Sequence, residues 1–246
     1  MKHGWLTERP IAHRGLHDAG AGIIENTASA FHAAISHGFG IETDLQISAD
    51  GEAMVHHDYS LGRLTDGNER LAALPAEKIR AARFKTSTDR ILTLGEVCEL
   101  VAGRVPLVLE LKSEFNGDTR IARRTAEVLK TYAGPVAAMS FDPDQTAVLR
   151  TIAPALPRGI VVASRFVHVN GRKLSRADWF RLAYMLHLHR TRPNFIAYAA
   201  DDLPAATTAA ARLLGMPLLT WTIRSQAERN RVMRFADQVI FEGFLP

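Results

Sequence analysis

Gly40-Ile41-Glu42-Thr43-Asp44-Leu45-Gln46-Ile47 alternates apolar and polar residues over the length of one strand. Residues i and i+2 of a strand project from the same face, so Glu42 and Asp44 stand side by side. Two carboxylates so placed repel, and each resists ionising unless a cation sits between them. That pattern suits a hard, oxygen-seeking metal ion. The plainer alternative is a solvated pair on an exposed strand face.

The same device recurs downstream. Val105-Pro106-Leu107-Val108-Leu109-Glu110-Leu111-Lys112 is an apolar run that turns polar at its C-terminal end, where Glu110 and Lys112 share a face. Upstream, Pro10-Ile11-Ala12-His13-Arg14-Gly15 is another short apolar segment ending in ionisable residues and a glycine. Strands that are apolar early and carry chemistry late belong in a parallel α/β barrel, whose site collects at the C-terminal rim.

The rest of the chain keeps the rhythm of such a barrel. Helices are expected over 27–37 (with Asn26 as N-cap), 93–102, 118–132, 144–152, 175–188, 204–214 and 225–235. Between them fall apolar runs at 136–141, 159–163, 195–199, 218–223 and 238–241, completing eight parallel strands with the three above. A length of 246 residues suits one barrel, so 1–246 is read as a single domain. Little chain follows the last strand, so a closing helix is expected to be missing, or replaced by an N-terminal segment or a second subunit.

Composition narrows the function classes. A hydrophobic share of 47% with 23% charged residues is ordinary for a globular protein. The net charge of +4 favours anionic partners weakly. One cysteine, Cys98, excludes an internal disulfide. The opening residues lack the apolar core of a secretory signal, and no apolar run approaches the roughly 20 residues of a membrane span. These features are read as a soluble cytoplasmic protein. With no aromatic stacking platform, nucleic acid is not an expected partner.

His13-Arg14-Gly15, Glu25-Asn26-Thr27, Glu42-x-Asp44, His57-Asp58, Arg63-x-Thr65-x-Gly67 and Glu110-Leu111-Lys112 occur in an ordered series. That series resembles the glycerophosphodiester phosphodiesterase family, closely over the first half of the chain. In the second half the likeness rests on the strand–helix rhythm and on Trp221-Thr222. The resemblance implies a TIM (β/α)8 barrel with a small insertion after the second strand, here 53–92, that carries the His57-Asp58 motif. It implies metal ligands Glu42, Asp44 and Glu110 for one divalent cation, Mg2+ or Ca2+. Zinc is disfavoured by the all-oxygen donor set.

The residue types supply a matching chemistry. A phosphodiester monoanion repels nucleophiles, so positive charge is needed on its oxygens. Arg14 and Lys112 can provide it, one as a fork and one as a point charge. His13 and His57 can divide the proton transfers, with Asp58 orienting His57. His56 and His57 are adjacent in a strand, so only one can point inward. His168, His187 and His189 are read as surface residues. Trp221, at a strand end, is a candidate wall for the glycerol pocket.

Two stretches depart from the family pattern. The last strand runs into Phe241-Glu242-Gly243-Phe244-Leu245-Pro246, and Ile223-Arg224 follows Trp221-Thr222. Both fall where the substrate's alcohol would be held. From Arg158 to Arg192, eight basic residues including Arg165, Arg172, Lys173 and Arg181 meet one acid, Asp178. A solvated face explains this stretch; a rim loop making peripheral contact with an anionic lipid surface is the sharper reading. The expected activity is metal-dependent hydrolysis of a small-molecule phosphodiester to an alcohol and glycerol 3-phosphate. A lysophospholipid or other lipid-headgroup phosphodiesterase is the alternative, and a non-catalytic phosphodiester-binding barrel the second. Oligomerisation is left open.

Overall fold

The computed structural model describes residues 3–163, 168–169, 172–173 and 175–246, with only the backbone described at 168–169 and 172–173. Eight parallel strands close on themselves. They are β1 (Ile11–Ala12), β2 (Gly40–Ile47), β3 (Leu107–Leu111), β4 (Val136–Ser140), β5 (Arg158–Val162), β6 (Phe195–Ala199), β7 (Leu218–Ile223) and β8 (Gln238–Phe241). β1 pairs with both β8 and β2, which shuts the cylinder. All eight strands expected from the sequence are present.

The two-residue period of each strand divides it between two environments. In β3, Val108 faces the barrel interior, whereas Leu107, Leu109 and Leu111 face the surrounding helices. Glu110 and Lys112 continue the inner row up to the mouth. In β8, Ile240 points in and Val239 and Phe241 point out. The interior is a packed plug of Ile11, Val108, Met139, Val161, Phe195, Leu219 and Ile240. Leu6, on the short helix α1 (Trp5–Glu8), joins that plug with 1% of its surface exposed. Above the plug the inward side chains turn polar.

After β8 the described chain runs on as Glu242–Pro246 without a helix. The outer face there is covered from within the chain: Phe241 meets Phe39 and Phe244 edge-on, with ring centroids 5.0 and 5.7 Å apart. Among the described residues no helix follows β8, one of the alternatives drawn from sequence, and Phe39 and Phe244 pack on Phe241 where it would lie.

The helices also differ in detail from their expected spans. The cap of α2 (Ala28–Ser36) is Thr27, whose Oγ1 accepts from the Ala30 amide, and not Asn26. Thr93 caps the helix Leu94–Val101 through a reciprocal box with Glu96. The single helix expected over 175–188 is two, Arg176–Ala183 and Leu188–Thr191, separated by Met185 at φ 53°. His187 is buried there rather than on the surface. The basic stretch is partly internal too. Arg158 is buried and donates to the carbonyls of Thr191 and Arg192, and Arg190 pairs with Asp144 at 2.6 Å. Arg165 and Phe166 lie outside the described residues, as do the side chains of Arg172 and Lys173.

Beyond β2 the chain doubles back as an antiparallel strand, Ala53–Val55, before a segment with its own small core. Met54, Leu61, Leu71, Ile79, Phe84 and Ile91 pack there with Ile24. The inserted segment thus carries an apolar anchor of its own. Among the described residues, no helix is long and apolar enough to cross a membrane.

Candidate active site

Strand register assembles the site. β2 and β3 pair with Asp44 opposite Glu110, so two inward carboxylates meet on adjacent strands. Glu42 lies one inner-face step below Asp44. Oxygens of Glu42, Asp44 and Glu110 come within 4.8 Å of one another, and all three residues are buried. Lys112, just past the end of β3, brings Nζ 2.5 Å from Glu110 Oε1 and 2.8 Å from Asp44 Oδ1.

The N-terminal side of the site follows from a turn. Ala12 pairs with both Ile41 and Phe241, so His13 emerges beside Glu42 and Glu242. Gly15 then adopts φ 78°, and a Cβ there would stand 2.9 Å from the Ala30 backbone. This tight turn lets the Arg14 amide donate to Glu42 Oε2 at 3.0 Å. The Arg14 guanidinium reaches Glu25 at 2.7 Å and Asp44 at 3.3 Å. Asn26, at φ 59°, donates to Asp44 Oδ2 at 2.9 Å and accepts from Thr43 Oγ1 at 2.6 Å. It braces a carboxylate.

His57 arrives by the antiparallel return. The His56 amide donates to the Asp44 carbonyl and Gln46 Nε2 donates to the His57 carbonyl, which fixes the His57-Asp58 corner at the mouth. His57 Nδ1 lies 2.8 Å from Asp58 Oδ1, and Arg63 Nε lies 2.5 Å from Asp58 Oδ2. Arg63 also shares Glu25 with Arg14. His56 points away from the cavity and is buried, with Nδ1 at 2.9 Å from the Asp58 carbonyl.

One cavity of about 280 Å³ is lined by His13, Arg14, Glu42, His57, Glu110, Lys112 and Trp221. Asp44 lies directly behind it, against Lys112 and Arg14. Phe141 and Trp221 meet edge-on at 5.6 Å to form an apolar wall. The structure thus brings all eight sequence-derived candidates together. Sequence reasoning left Asn26 between a helix cap and a member of the family series, and it missed the link between its two departures. Arg224 Nη2 lies 2.7 Å from Glu242 Oε1, and Glu242 Oε2 lies 2.5 Å from His13 Nδ1. Alternation along β8 carried the signal, since Ile240 and Glu242 share the inner face.

Electrostatics sharpen the picture. Burial pushes the Glu42 carboxyl well up, and the nearby charges of Asp44 and Glu110 push it further. Burial would raise Asp44 too, but Lys112, His57 and Arg14 outweigh that and hold it well below the carboxylate range. Burial lowers His13 below 6.5 against the raising effect of its bond to Glu242. Glu42 Oε1 is buried without a hydrogen-bond partner. A buried orphan oxygen beside two further carboxylates is what a divalent cation would relieve, and three oxygen donors fit a hard one.

A closed parallel barrel with carboxylates, two cations and two carboxylate-backed imidazoles at its mouth is equipped to hydrolyse phosphoric esters. The model of the glycerophosphoryl diester phosphodiesterase family matches residues 13–245, and the chain belongs to that family, hence to the phosphoric diester hydrolases. It is 26% identical over 234 residues to a glycerophosphodiester phosphodiesterase of Caldanaerobacter subterraneus, covering 91% of this chain and 89% of that one. It is 46% identical over 113 residues to bovine glycerophosphodiester phosphodiesterase 1, a match spanning 42% of this chain and 33% of the bovine protein. In fold it is similar to an Oleispira antarctica phosphodiesterase solved with its product sn-glycerol-3-phosphate. That likeness has a TM-score of 0.79 and 20% identity over 96% of this chain and 93% of the other.

Proposed function

We propose that this protein hydrolyses glycerophosphodiesters to an alcohol and glycerol 3-phosphate, using a divalent cation and two histidines. The observation that carries the reading is one cavity lined by His13, His57, Arg14, Lys112, Glu42 and Glu110, with Asp44 completing the carboxylate cluster behind it. Those three carboxylates would hold Mg2+ or Ca2+. When bound, such an ion supplies positive charge that favours attack on a phosphodiester anion.

The chain's own groups take the remaining tasks. Arg14 presents a guanidinium fork to the phosphoryl oxygens, and Lys112 adds a point charge deeper in. His13 and His57 hold their Nδ1 atoms against Glu242 and Asp58, which leaves each Nε2 for the reaction. One ring takes the proton of the attacking hydroxyl and the other gives one to the departing alkoxide. Trp221, stacked edge-on against Phe141, walls the cavity where the glycerol carbons would rest. The chain works as one unit, with 53–92 as the inserted segment that delivers His57 to the mouth.

A lipid substrate is the second reading. Phe180, Tyr184 and Leu186 are each about half exposed, and Arg181 stands among them. Such a mixed apolar and basic face suits peripheral contact with an anionic lipid surface. A cytoplasmic setting is the compartment in which a small soluble diester would be met.

The test is turnover of glycerophosphocholine, glycerophosphoethanolamine, glycerophosphoinositol and lysophosphatidylcholine in Mg2+, Ca2+ and EDTA, with products resolved by 31P NMR. Release of glycerol 3-phosphate supports the reading. Tight binding of every diester with no turnover under any metal would leave a binding barrel in its place.

A further inference from the structure

We propose that Glu242, held by Arg224, is the positioning residue for His13, fixing the ring as its Nδ1–H tautomer with Nε2 turned into the cavity. The inference rests on the function proposed above in one respect, that His13 transfers a proton. The distance of 2.5 Å between His13 Nδ1 and Glu242 Oε2 marks a strong, charge-assisted bond. A carboxylate only accepts, so the ring nitrogen facing it carries the hydrogen. In the neutral ring Nε2 is then the unprotonated atom, and it lies 3.9 Å from Glu42 Oε2, on the side of the site.

Glu242 cannot easily swing away. Its second oxygen is 2.7 Å from Arg224 Nη2, and His17 Nε2 stands 3.6 Å from the first. Burial would raise its carboxyl, but the bond to His13, the nearby His17 ring and the charge of Arg224 outweigh that and keep it ionised.

The second histidine is built the same way. Asp58 accepts from His57 Nδ1 on one oxygen and from Arg63 on the other. Two imidazoles at one cavity, each backed by a carboxylate and each carboxylate anchored by an arginine, share a functional requirement. Stability is a weak explanation for the Arg224 pair, because Arg224 is 63% exposed and exposed pairs add little.

The test combines 15N NMR of the histidine rings with steady-state kinetics on wild type, Glu242→Ala, Glu242→Asp and Arg224→Gln, the His13 signal being assigned by its loss in His13→Gln. In wild type, Nδ1 should read as protonated. In Glu242→Ala the ring should move to the Nε2–H form and kcat should fall roughly tenfold to 10⁴-fold with KM little changed, the range seen on losing a carboxylate that orients a working histidine. Glu242→Asp should recover part of both. Arg224→Gln should fall between, and adding it to Glu242→Ala should cost nothing more, since both act through one contact. An unchanged tautomer or an unchanged kcat in a folded Glu242→Ala overturns the proposal. A wild type without diesterase turnover would sink the functional reading instead, while the tautomer would still report whether Glu242 sets the ring.

Discussion

Lys112 Nζ lies 2.8 Å from Asp44 Oδ1, across the seam between two neighbouring barrel strands. Both side chains are buried, and Glu110 is bonded to the same ammonium. Burial would lower the Lys112 pKa, but Asp44 and Glu110 raise it above its ordinary value. The lysine thus neutralises part of the carboxylate cluster from within, whereas Glu42 Oε1 keeps no partner.

The first prediction concerns the cation. Chelation should abolish diesterase activity while far-UV circular dichroism stays unchanged, because Lys112 keeps the empty cluster tolerable. Lys112→Met should remove that protection. Breaking a buried pair costs about 3–5 kcal/mol, and this loss should be large in EDTA and smaller in Mg2+ or Ca2+. Melting curves with and without metal measure it. Glu42→Gln should abolish the metal-induced rise in Tm. Equal Tm shifts in wild type and Glu42→Gln would remove Glu42 from the ligand set.

The histidines give a second prediction. His13→Ala and His57→Ala should each lower kcat by roughly 10²–10⁴, the usual contribution of a positioned proton donor or acceptor. A p-nitrophenyl diester needs no acid to release its alcohol, so it should rescue one variant and not the other. His56 is buried against the Asp58 carbonyl and should behave differently. His56→Ala should lower Tm and leave kcat of the folded protein nearly unchanged. If His56→Ala were as inactive as His57→Ala at full stability, His56 would be the reacting ring.

Third, Gly159 in β5 leaves room for Phe195. A Cβ at Gly159 would come within 2.4 Å of the Phe195 ring, and that ring is fully buried in the barrel plug. Overpacking of this sort typically costs about 1–3 kcal/mol. Gly159→Ala should therefore lower the urea midpoint, and adding Phe195→Leu should return part of the loss. Additive effects in the double variant would mean the two sites do not share the strain.

The barrel was legible because each strand announces itself twice. β3 is an apolar run facing helices on one side and the plug on the other, and its ionisable residues come only at the end that reaches the mouth. The same reading brought His13, Glu42, Asp44, Glu110 and Lys112 to one rim. What escaped it depends on contacts between distant segments. Asn26 has the residue type of a cap, and only the backbone at φ 59° turns it onto Asp44 instead. Glu242 stands next to His13 because β8 and β1 close the barrel, a pairing of the chain's two ends that no local pattern announces. The apolar residues of the insertion are spaced without a period, so the cluster in which Leu61, Phe84 and Ile91 meet shows only in the structure.

The last prediction concerns His187, which sequence reasoning put on the surface and the structure buries. Burial lowers its pKa to about 4, with the charges of Arg190 and His189 adding to the effect. In the unfolded chain it titrates near 6.5. Between these values the unfolded state binds the proton and the folded state does not, so acid favours unfolding. On this group's account stability is full above pH 6.5, falls as pH drops from 6.5 to about 4, and levels off below. The slope from one such proton is at most about 1.4 kcal/mol per pH unit. Asp44, Asp58 and Glu242 all have lowered pKa values and lose their contributions at more acidic pH, so they steepen the low end for every variant alike. The comparison therefore lies in the difference between wild type and His187→Gln. Urea midpoints from pH 7 down to 4 should decline less steeply in the variant, and the two curves should converge toward acid. Parallel curves across that window would mean that His187 takes up its proton in the folded protein as readily as in the unfolded chain, and that the turn at Met185 opens to admit water.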